Sequence, residues 1–331
     1  MKISPARVAA TAGAFVAAGL GATLVNGRVR QHRRLRRGED VEFGSVHSTP
    51  SSIQASDGVS LNVEVDEADR KTPVVVFVHG WVCTLDSWHY QRLAMRGAVR
   101  MVFMDLRSHG RSGRSTERHA TLAQMADDLR TVIEQVAPRG PVVLVGHSMG
   151  GMAVMQLAQD DPEFFARRVQ GVALIGTSSG KLMRGSPAFR RLVPLLRVAS
   201  PVLDWGRSFN SYSVIKRWGL GPRAESRHVD MADEMILRAP THVLMDFYPN
   251  FVSLDLRPSL PALATTHCVV VGGTDDQLTP ISHARRLHDA IADSKLIEVE
   301  GAGHMIMLEA HDEVTEAIED VVDLVRKDMD A

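Results

Sequence analysis

Cysteine is scarce in this 331-residue chain, and the two present, Cys83 and Cys268, stand far apart. Two isolated thiols build no disulfide framework, so the fold must rest on its apolar core, and the usage leans toward a reducing compartment. Net charge is nearly absent as well: 38 Lys+Arg face 39 Asp+Glu, for a formal −1. Charge therefore gives no reason to expect nucleic acid or an acidic polymer as partner. Lysine supplies only six of the 38 basic residues, which reads as composition bias and not as chemistry. Internal repeats are missing, which excludes a repeat array. His283 and His288 share a helical stretch at a spacing that serves no metal, and no cofactor is expected. What the chain does have is 44% hydrophobic residues. Beyond residue 40 that suffices for one large α/β domain carrying an insertion.

The first forty residues differ from the rest. Val8 to Val25, VAATAGAFVAAGLGATLV, is an uncharged run of eighteen, preceded by Lys2 and Arg7 and followed by Arg28, Arg30, Arg33, Arg34, Arg36 and Arg37. At about 1.5 Å per residue it would reach roughly 27 Å, barely a bilayer core. The expectation is a single-span membrane anchor over residues 8–25, in a segment 1–40, with the Arg cluster resting on anionic head groups. The more positive C-terminal flank places the following domain on the cytoplasmic side. A cleaved signal peptide, and hence secretion, is the alternative; six arginines directly downstream make a poor start for a translocated chain.

Residues 41–331 alternate strand and helix. A Ser/Thr-rich stretch over 41–58 leads into an alternating edge strand, Val59 to Val65. Val74 to Val78, Val99 to Met104, Val142 to Val145, Val169 to Ile175, Cys268 to Val271 and Lys295 to Val299 read as strands, several of them continuous apolar runs typical of a buried parallel sheet. Between them, Trp88 to Met95 reads as a short helix. Thr121 to Ala137 is amphipathic, with Leu122, Met125, Ala126, Leu129, Val132, Ile133 and Val136 on one face and Thr121 with Gln124 as a capping box. A helix is expected from Pro280, capped by Thr279, and another over Val314 to Val325. The rhythm breaks over 181–265, which is rich in proline and arginine and carries Phe189, Leu195, Leu196, Trp205, Phe209, Trp218, Phe247, Tyr248 and Phe251. This stretch is expected to be a helical cap over the C-terminal edge of the sheet, its apolar residues mostly packing cap against core. The rhythm predicts a parallel sheet covered by helices on both faces.

The chemistry concentrates in loops that follow strands. Gly146-His147-Ser148-Met149-Gly150 fits G-x-S-x-G, a strained strand-to-helix turn that projects a serine hydroxyl from the sheet edge. Side chains at Gly146 and Gly150 would crowd that turn. A serine nucleophile needs a base, and the base needs a carboxylate to orient it. His304, in Gly301-Ala302-Gly303-His304 after the last strand, is the one histidine of fourteen placed for the base. After the preceding strand, Gly273-Thr274-Asp275-Asp276 offers two acids; Asp276 is preferred as the deeper and Asp275 taken as a solvated neighbour. Backbone N–H groups of Met149 and Trp81 are the candidate oxyanion donors. His79 reads as a loop anchor, and Asp105, Arg107 and His109 as structural residues tying their loop to the serine turn.

Together HGW at 79–81, DLRSHGRS at 105–112, GHSMGG at 146–151, GTDDQLTP at 273–280 and GAGH at 301–304 resemble the α/β-hydrolase family, in its capped esterase, haloperoxidase and C–C hydrolase branch. The resemblance spans about residues 55 to 328, and Ser148, Asp276, His304 follow the family's chain order of nucleophile, acid and base. It implies a mostly parallel eight-stranded sheet flanked by helices, with an inserted cap, and a serine hydrolase. The family is catalytically broad, so substrate does not carry over; the membrane anchor beside a partly apolar cap is what favours a lipophilic ester or thioester. A C–C bond hydrolase or a cofactor-free haloperoxidase would use the same triad, and a ligand-sensing binding protein is a further alternative. Ser148 argues against epoxide hydrolysis or dehalogenation, which need a carboxylate nucleophile. Ser108 departs from the family, standing where glycine is usual.

Overall fold

A computed structural model describes residues 41–68, 72–116, 119–180, 182, 204, 211–222 and 224–331. The expected anchor at 8–25 and its Arg cluster lie outside these residues. Among the described residues no helix is long and apolar enough to cross a membrane.

Eight strands form one sheet: β1 (Pro50–Gln54), β2 (Ser60–Asp66), β3 (Val74–Val78), β4 (Met101–Met104), β5 (Val142–His147), β6 (Val169–Ile175), β7 (His267–Gly273) and β8 (Lys295–Val299). Their order is β1-β2-β4-β3-β5-β6-β7-β8. Strands β3 to β8 run parallel, and β2 pairs antiparallel with both β1 and β4. β1 had no sequence signal of its own. Ile53 is its single buried residue, so PSSIQ shows no alternation, and main-chain pairing to β2 holds it instead.

The helices are α1 (His89–Met95), α2 (Leu122–Val136), α3 (Met149–Asp160), α4 (Pro162–Arg168), α5 (Ser226–Arg238), α6 (Thr241–Val252), α7 (Leu260–Leu263), α8 (Ser282–Ala290), α9 (Ile306–Glu309) and α10 (His311–Asp330), with a further helical stretch over 211–218. β3 shows how the sheet makes two cores. Val74, Val76 and Val78 join the core under α2 and α3. Val75 and Phe77 point the other way, into the core under α1, α9 and α10. The apolar faces read from the sequence do this packing: Leu122, Met125, Ala126, Leu129, Val132 and Ile133 of α2, and Val314, Ala317, Ile318, Val321, Val322 and Val325 of α10, are buried. Burying each of the larger side chains (Leu, Met, Val, Ile) contributes on the order of 1.5–3 kcal/mol.

Two local expectations change. Thr121 accepts from the Gln124 N–H at 3.1 Å, but the Gln124 side chain turns to Ser56 and Asp127, so only half of the capping box forms. Thr279 caps nothing: α8 begins at Ser282, and the Thr279 hydroxyl is used elsewhere, as described below.

Part of the expected cap, including Phe189, Leu195, Leu196, Trp205 and Phe209, lies outside the described residues. Of the remainder, α6 contributes Phe247 and Phe251 to the first core, and α5 contributes Val229, Met231 and Met235 to the second. Asn250 of α6 accepts from the Leu122 N–H at 3.1 Å and donates to Ala120 O at 2.9 Å, tying this stretch to the start of α2.

Candidate active site

The serine turn is built by backbone proximity. Ser148 sits between β5 and α3 at φ 50°, ψ −116°, a conformation that costs a non-glycine residue about 1–3 kcal/mol. A Cβ on Gly150 would lie 2.2 Å from Val78 O, and one on Gly146 would lie 2.6 Å from the Gly151 backbone, so neither position accepts a side chain. The turn is held by Ser148 N donating to Ile175 O at 2.9 Å and by Thr177 Oγ1 donating to Ser148 O at 2.7 Å.

Strand order then assembles three distant residues. The loops after β5, β7 and β8 leave the same edge of the sheet, in which neighbouring strands lie roughly 4.8 Å apart and only β6 stands between β5 and β7. Ser148 Oγ lies 2.9 Å from His304 Nε2, and His304 Nδ1 lies 2.8 Å from Asp276 Oδ2. A carboxylate only accepts, so Nδ1 carries the hydrogen and Nε2 presents a lone pair to the serine hydroxyl. All three residues are buried.

Asp276 is saturated. It accepts from Leu278 N at 2.7 Å, Thr279 N at 2.8 Å and Thr279 Oγ1 at 2.7 Å, besides His304. Burial works to raise its pKa, but the attraction of His304 and hydrogen bonds from His304 and Thr279 outweigh it, holding the carboxyl at about 2. Asp275, half-buried, offers its backbone N–H to Ala302 O at 3.0 Å. Thr279 was misread as a helix cap. Its hydroxyl lies between Asp276 and Gly176 O, 3.2 Å from His304 Nδ1.

His147, the neighbour of the nucleophile in sequence, has a use of its own. Its Nε2–H donates to His304 O at 2.9 Å, supporting the backbone of the histidine loop. Burial, then the neighbouring His304, pushes His147 down to about 3, so it is neutral at physiological pH. His79 is the expected loop anchor: Nδ1–H donates to Gly80 O at 2.7 Å and Nε2 accepts from Leu106 N at 3.0 Å. Burial lowers it to about 4.

The candidate oxyanion donors stand where two strained residues hold the backbone. Met149 opens α3, where an N–H has no partner within the helix. Trp81 precedes Val82, whose φ is 56°, a genuine outlier for a β-branched residue. A Cβ added to Gly80 would lie 3.2 Å from Ser148 Cβ, so the 79–81 turn abuts the serine turn. The Trp81 ring packs edge-on against Phe251 of α6, centroids 5.0 Å apart.

The 105–112 loop corrects the expectation that it ties to the serine turn. Asp105 accepts from Leu85 N, Asn62 Nδ2 and Arg111 N, each at 2.9 Å. Arg107 is paired with Asp128 of α2 at 2.6 Å and with Asp57 at 2.8 Å. The loop is thus bound to β2, α2 and the turn Leu85–Trp88 that precedes α1, and through Leu106 N to His79, which abuts the serine turn. His109 donates to Arg107 O and lies against the Phe247 ring, centroids 5.1 Å apart. Ser108 shows why glycine suits its position: its φ is 66°. Both cysteines are buried, free and pushed up to about 12 by that burial, so neither is a reactive thiol. Among the described residues no cluster of three or more His, Cys, Asp or Glu is arranged to hold a metal.

A serine hydroxyl, an oriented imidazole and a buried carboxylate at the C-terminal edge of a doubly covered α/β sheet define a hydrolase-type site on a hydrolase fold. Residues 75–317 match the model of the alpha/beta hydrolase family, and the chain belongs to that family. It is 26% identical over 278 residues to an uncharacterized hydrolase of Bacillus subtilis, covering 80% of this chain and 95% of that one. It is 37% identical over 100 residues to a bifunctional esterase/perhydrolase of Acinetobacter calcoaceticus, covering 30% of this chain and 35% of that one. A mouse sn-1-specific diacylglycerol lipase is 33% identical over 143 residues, 42% of this chain and 46% of the lipase. Among solved structures, an esterase from Exiguobacterium antarcticum superposes with a TM-score of 0.68 at 23% identity, over 83% of this chain and all of that one, which speaks for the fold.

Proposed function

We propose that the protein is a serine hydrolase that cleaves a carboxylic ester or thioester of a lipophilic small molecule through an acyl-enzyme. The observation that carries the reading is the continuous hydrogen-bond chain from Ser148 Oγ through His304 to Asp276, at 2.9 and 2.8 Å. His304 Nε2 takes the serine proton as Oγ bonds to the carbonyl carbon. The carbonyl oxygen becomes an oxyanion facing the N–H groups of Met149 and Trp81, the first at a helix start whose dipole favours negative charge. The tetrahedral adduct collapses, its bond to the leaving group breaks, and His304 returns the proton to the departing oxygen or sulfur. Water, activated by the same imidazole, then cleaves the acyl-serine and restores Ser148. Asp276 keeps the productive tautomer and stays ionised throughout, consistent with its depressed pKa.

The Trp81–Phe251 pair beside the serine turn supports an apolar substrate group. The names of two relatives, an esterase/perhydrolase and a diacylglycerol lipase, support ester cleavage. A chain-length panel of p-nitrophenyl esters and acyl thioesters, run beside a fluorophosphonate probe, tests the reading. Turnover and labelling that both vanish in Ser148→Ala are the expected result; wild-type protein that neither labels nor turns over any member ends it. Membrane attachment through residues 8–25, with the catalytic domain cytoplasmic, is a separate proposal. Fractionation tests it, and an intact N-terminus in the soluble fraction would sink it.

A further inference from the structure

One half-buried carboxylate near the site has no part in that scheme. Glu309 ends α9, five positions after His304. Its Oε2 accepts from Gly303 N at 3.0 Å and from Gly221 N at 2.7 Å, while Oε1 is buried with no hydrogen-bond partner among the described residues. Gly303 precedes His304, and Gly221 belongs to the stretch 181–265 that interrupts the sheet. One carboxylate thus joins the histidine loop to a segment more than eighty residues earlier. Burial raises the Glu309 pKa, and the two backbone N–H groups oppose that.

The same two segments are joined by the main chain. Gly219 O accepts from His304 N at 3.1 Å and from Met305 N at 3.0 Å. They approach so closely that a Cβ on Gly303 would lie 2.2 Å from Gly221 N, and one on Gly221 would lie 2.1 Å from Gly301 O. The backbone of His304 is therefore gripped from both sides: its carbonyl by His147, its N–H by Gly219, and the preceding N–H by Glu309. Charge-assisted bonds of this type are roughly twice as strong as neutral ones.

We infer that Glu309 is a positioning residue that latches the 219–221 segment onto the histidine loop, so that the reach of His304 to Ser148 depends on the inserted segment being seated. The inference rests on the serine-hydrolase reading. A displacement of about 1 Å between reacting groups costs on the order of 100-fold in rate, and the latch acts where such a displacement would begin.

The test compares wild-type, Glu309→Ala and Glu309→Gln full-length protein in p-nitrophenyl ester turnover, in the rate of fluorophosphonate labelling, and in melting temperature. Glu309→Ala should lower kcat and the labelling rate together by about 10–100-fold, with KM moved less than about threefold. Glu309→Gln keeps an oxygen that accepts both N–H groups, and should recover most of that loss. A purely structural role would lower the melting temperature and leave the labelling rate per folded molecule unchanged, which overturns the inference. So does an Ala variant with wild-type kcat, or a Gln variant as impaired as Ala. Should Glu309→Ala fail to fold, Gly221→Ala, which pushes the segments apart, takes its place: labelling at the wild-type rate again overturns the inference. Wild-type protein that takes no label defeats the serine-hydrolase reading, and this inference falls with it; an active wild type beside an unimpaired variant defeats this inference alone.

Discussion

Two regions at the same edge of the sheet bury charge, and they do it differently. In the 105–112 loop, the Arg107 guanidinium meets two carboxylates, Asp128 and Asp57, and further donates to Ser115 Oγ and His119 O. Every charge there is spent on a partner that stays put. In the loops after β5, β7 and β8, Asp276 is equally saturated, but the chain of bonds runs on through His304 and ends on a serine hydroxyl held by a strained backbone. A buried ion pair closed on both sides is architecture, whereas a chain ending in a transferable proton is suited to chemistry. The residue types alone do not separate the two, because each region offers an acid and a histidine. Closure of the network separates them.

That contrast predicts opposite consequences of mutation. Ser148→Ala should reduce ester turnover by about 10⁴–10⁶-fold with an unchanged fold, measured by kcat and by loss of fluorophosphonate labelling. Asp276→Asn should cost about 10⁴-fold in kcat by letting the imidazole adopt the wrong tautomer. Asp275→Asn should stay within a few-fold, and a reversal of that pair would reassign the acid. Arg107→Ala should do the reverse of these, lowering stability by about 3–5 kcal/mol because Asp128 and Asp57 lose their counter-charge. Urea unfolding reads that loss, and kcat per folded molecule should hold; a catalytic collapse at normal stability would break the distinction drawn here.

Acid should attack the architecture before it reaches Asp276. His79, His109 and His147 are held at about 4, 3 and 3 chiefly by burial. Each is neutral when folded and takes up a proton on unfolding, so the unfolded chain binds more protons and stability falls as pH drops below about 6.5, by up to about 1.4 kcal/mol per pH unit for each histidine. Asp276 has the depressed pKa of a paired carboxylate. Its contribution is complete above about 4 and is lost only as pH falls toward about 2. Denaturation midpoints measured from pH 7 to pH 3 should therefore decline from the histidine range downward; a flat profile to pH 4 would contradict the burial of the three rings. The smallest effect is expected at Ser108. Ser108→Gly relieves a positive φ but removes the hydroxyl that accepts from Ser115 N at 2.9 Å, two terms of about 1 kcal/mol each that nearly cancel.

How much of this was legible in the chain follows from the range of the forces involved. Strands such as Val74 to Val78 and Val169 to Ile175 were readable to the residue because continuous burial requires continuous apolar sequence. β1 was not, since one buried isoleucine leaves no periodicity to read. Thr279 carried a correct local signal, a threonine before Pro280, that was overridden when Asp276 and His304 claimed its hydroxyl. Arg107 was rightly read as structural, but its partners were beyond reach, because Asp57 and Asp128 lie 50 and 21 positions away. Glu309 offered only a carboxylate in an apolar run, and its partner Gly221 lies 88 positions earlier.

By itself the sequence determined what depends on neighbours along the chain: the period of each strand and helix, the glycines that free the 146–151 turn, and the kinds of side chain that follow each strand. Only the tertiary structure decided which of those side chains meet. Ser148 and His304 stand 156 positions apart and lie 2.9 Å from each other, because parallel strands deliver their following loops to one edge and the order β5-β6-β7-β8 sets those loops side by side. Hydrogen bonds act over about 3 Å, so which of them form is settled by packing in space, however far apart the partners lie along the chain.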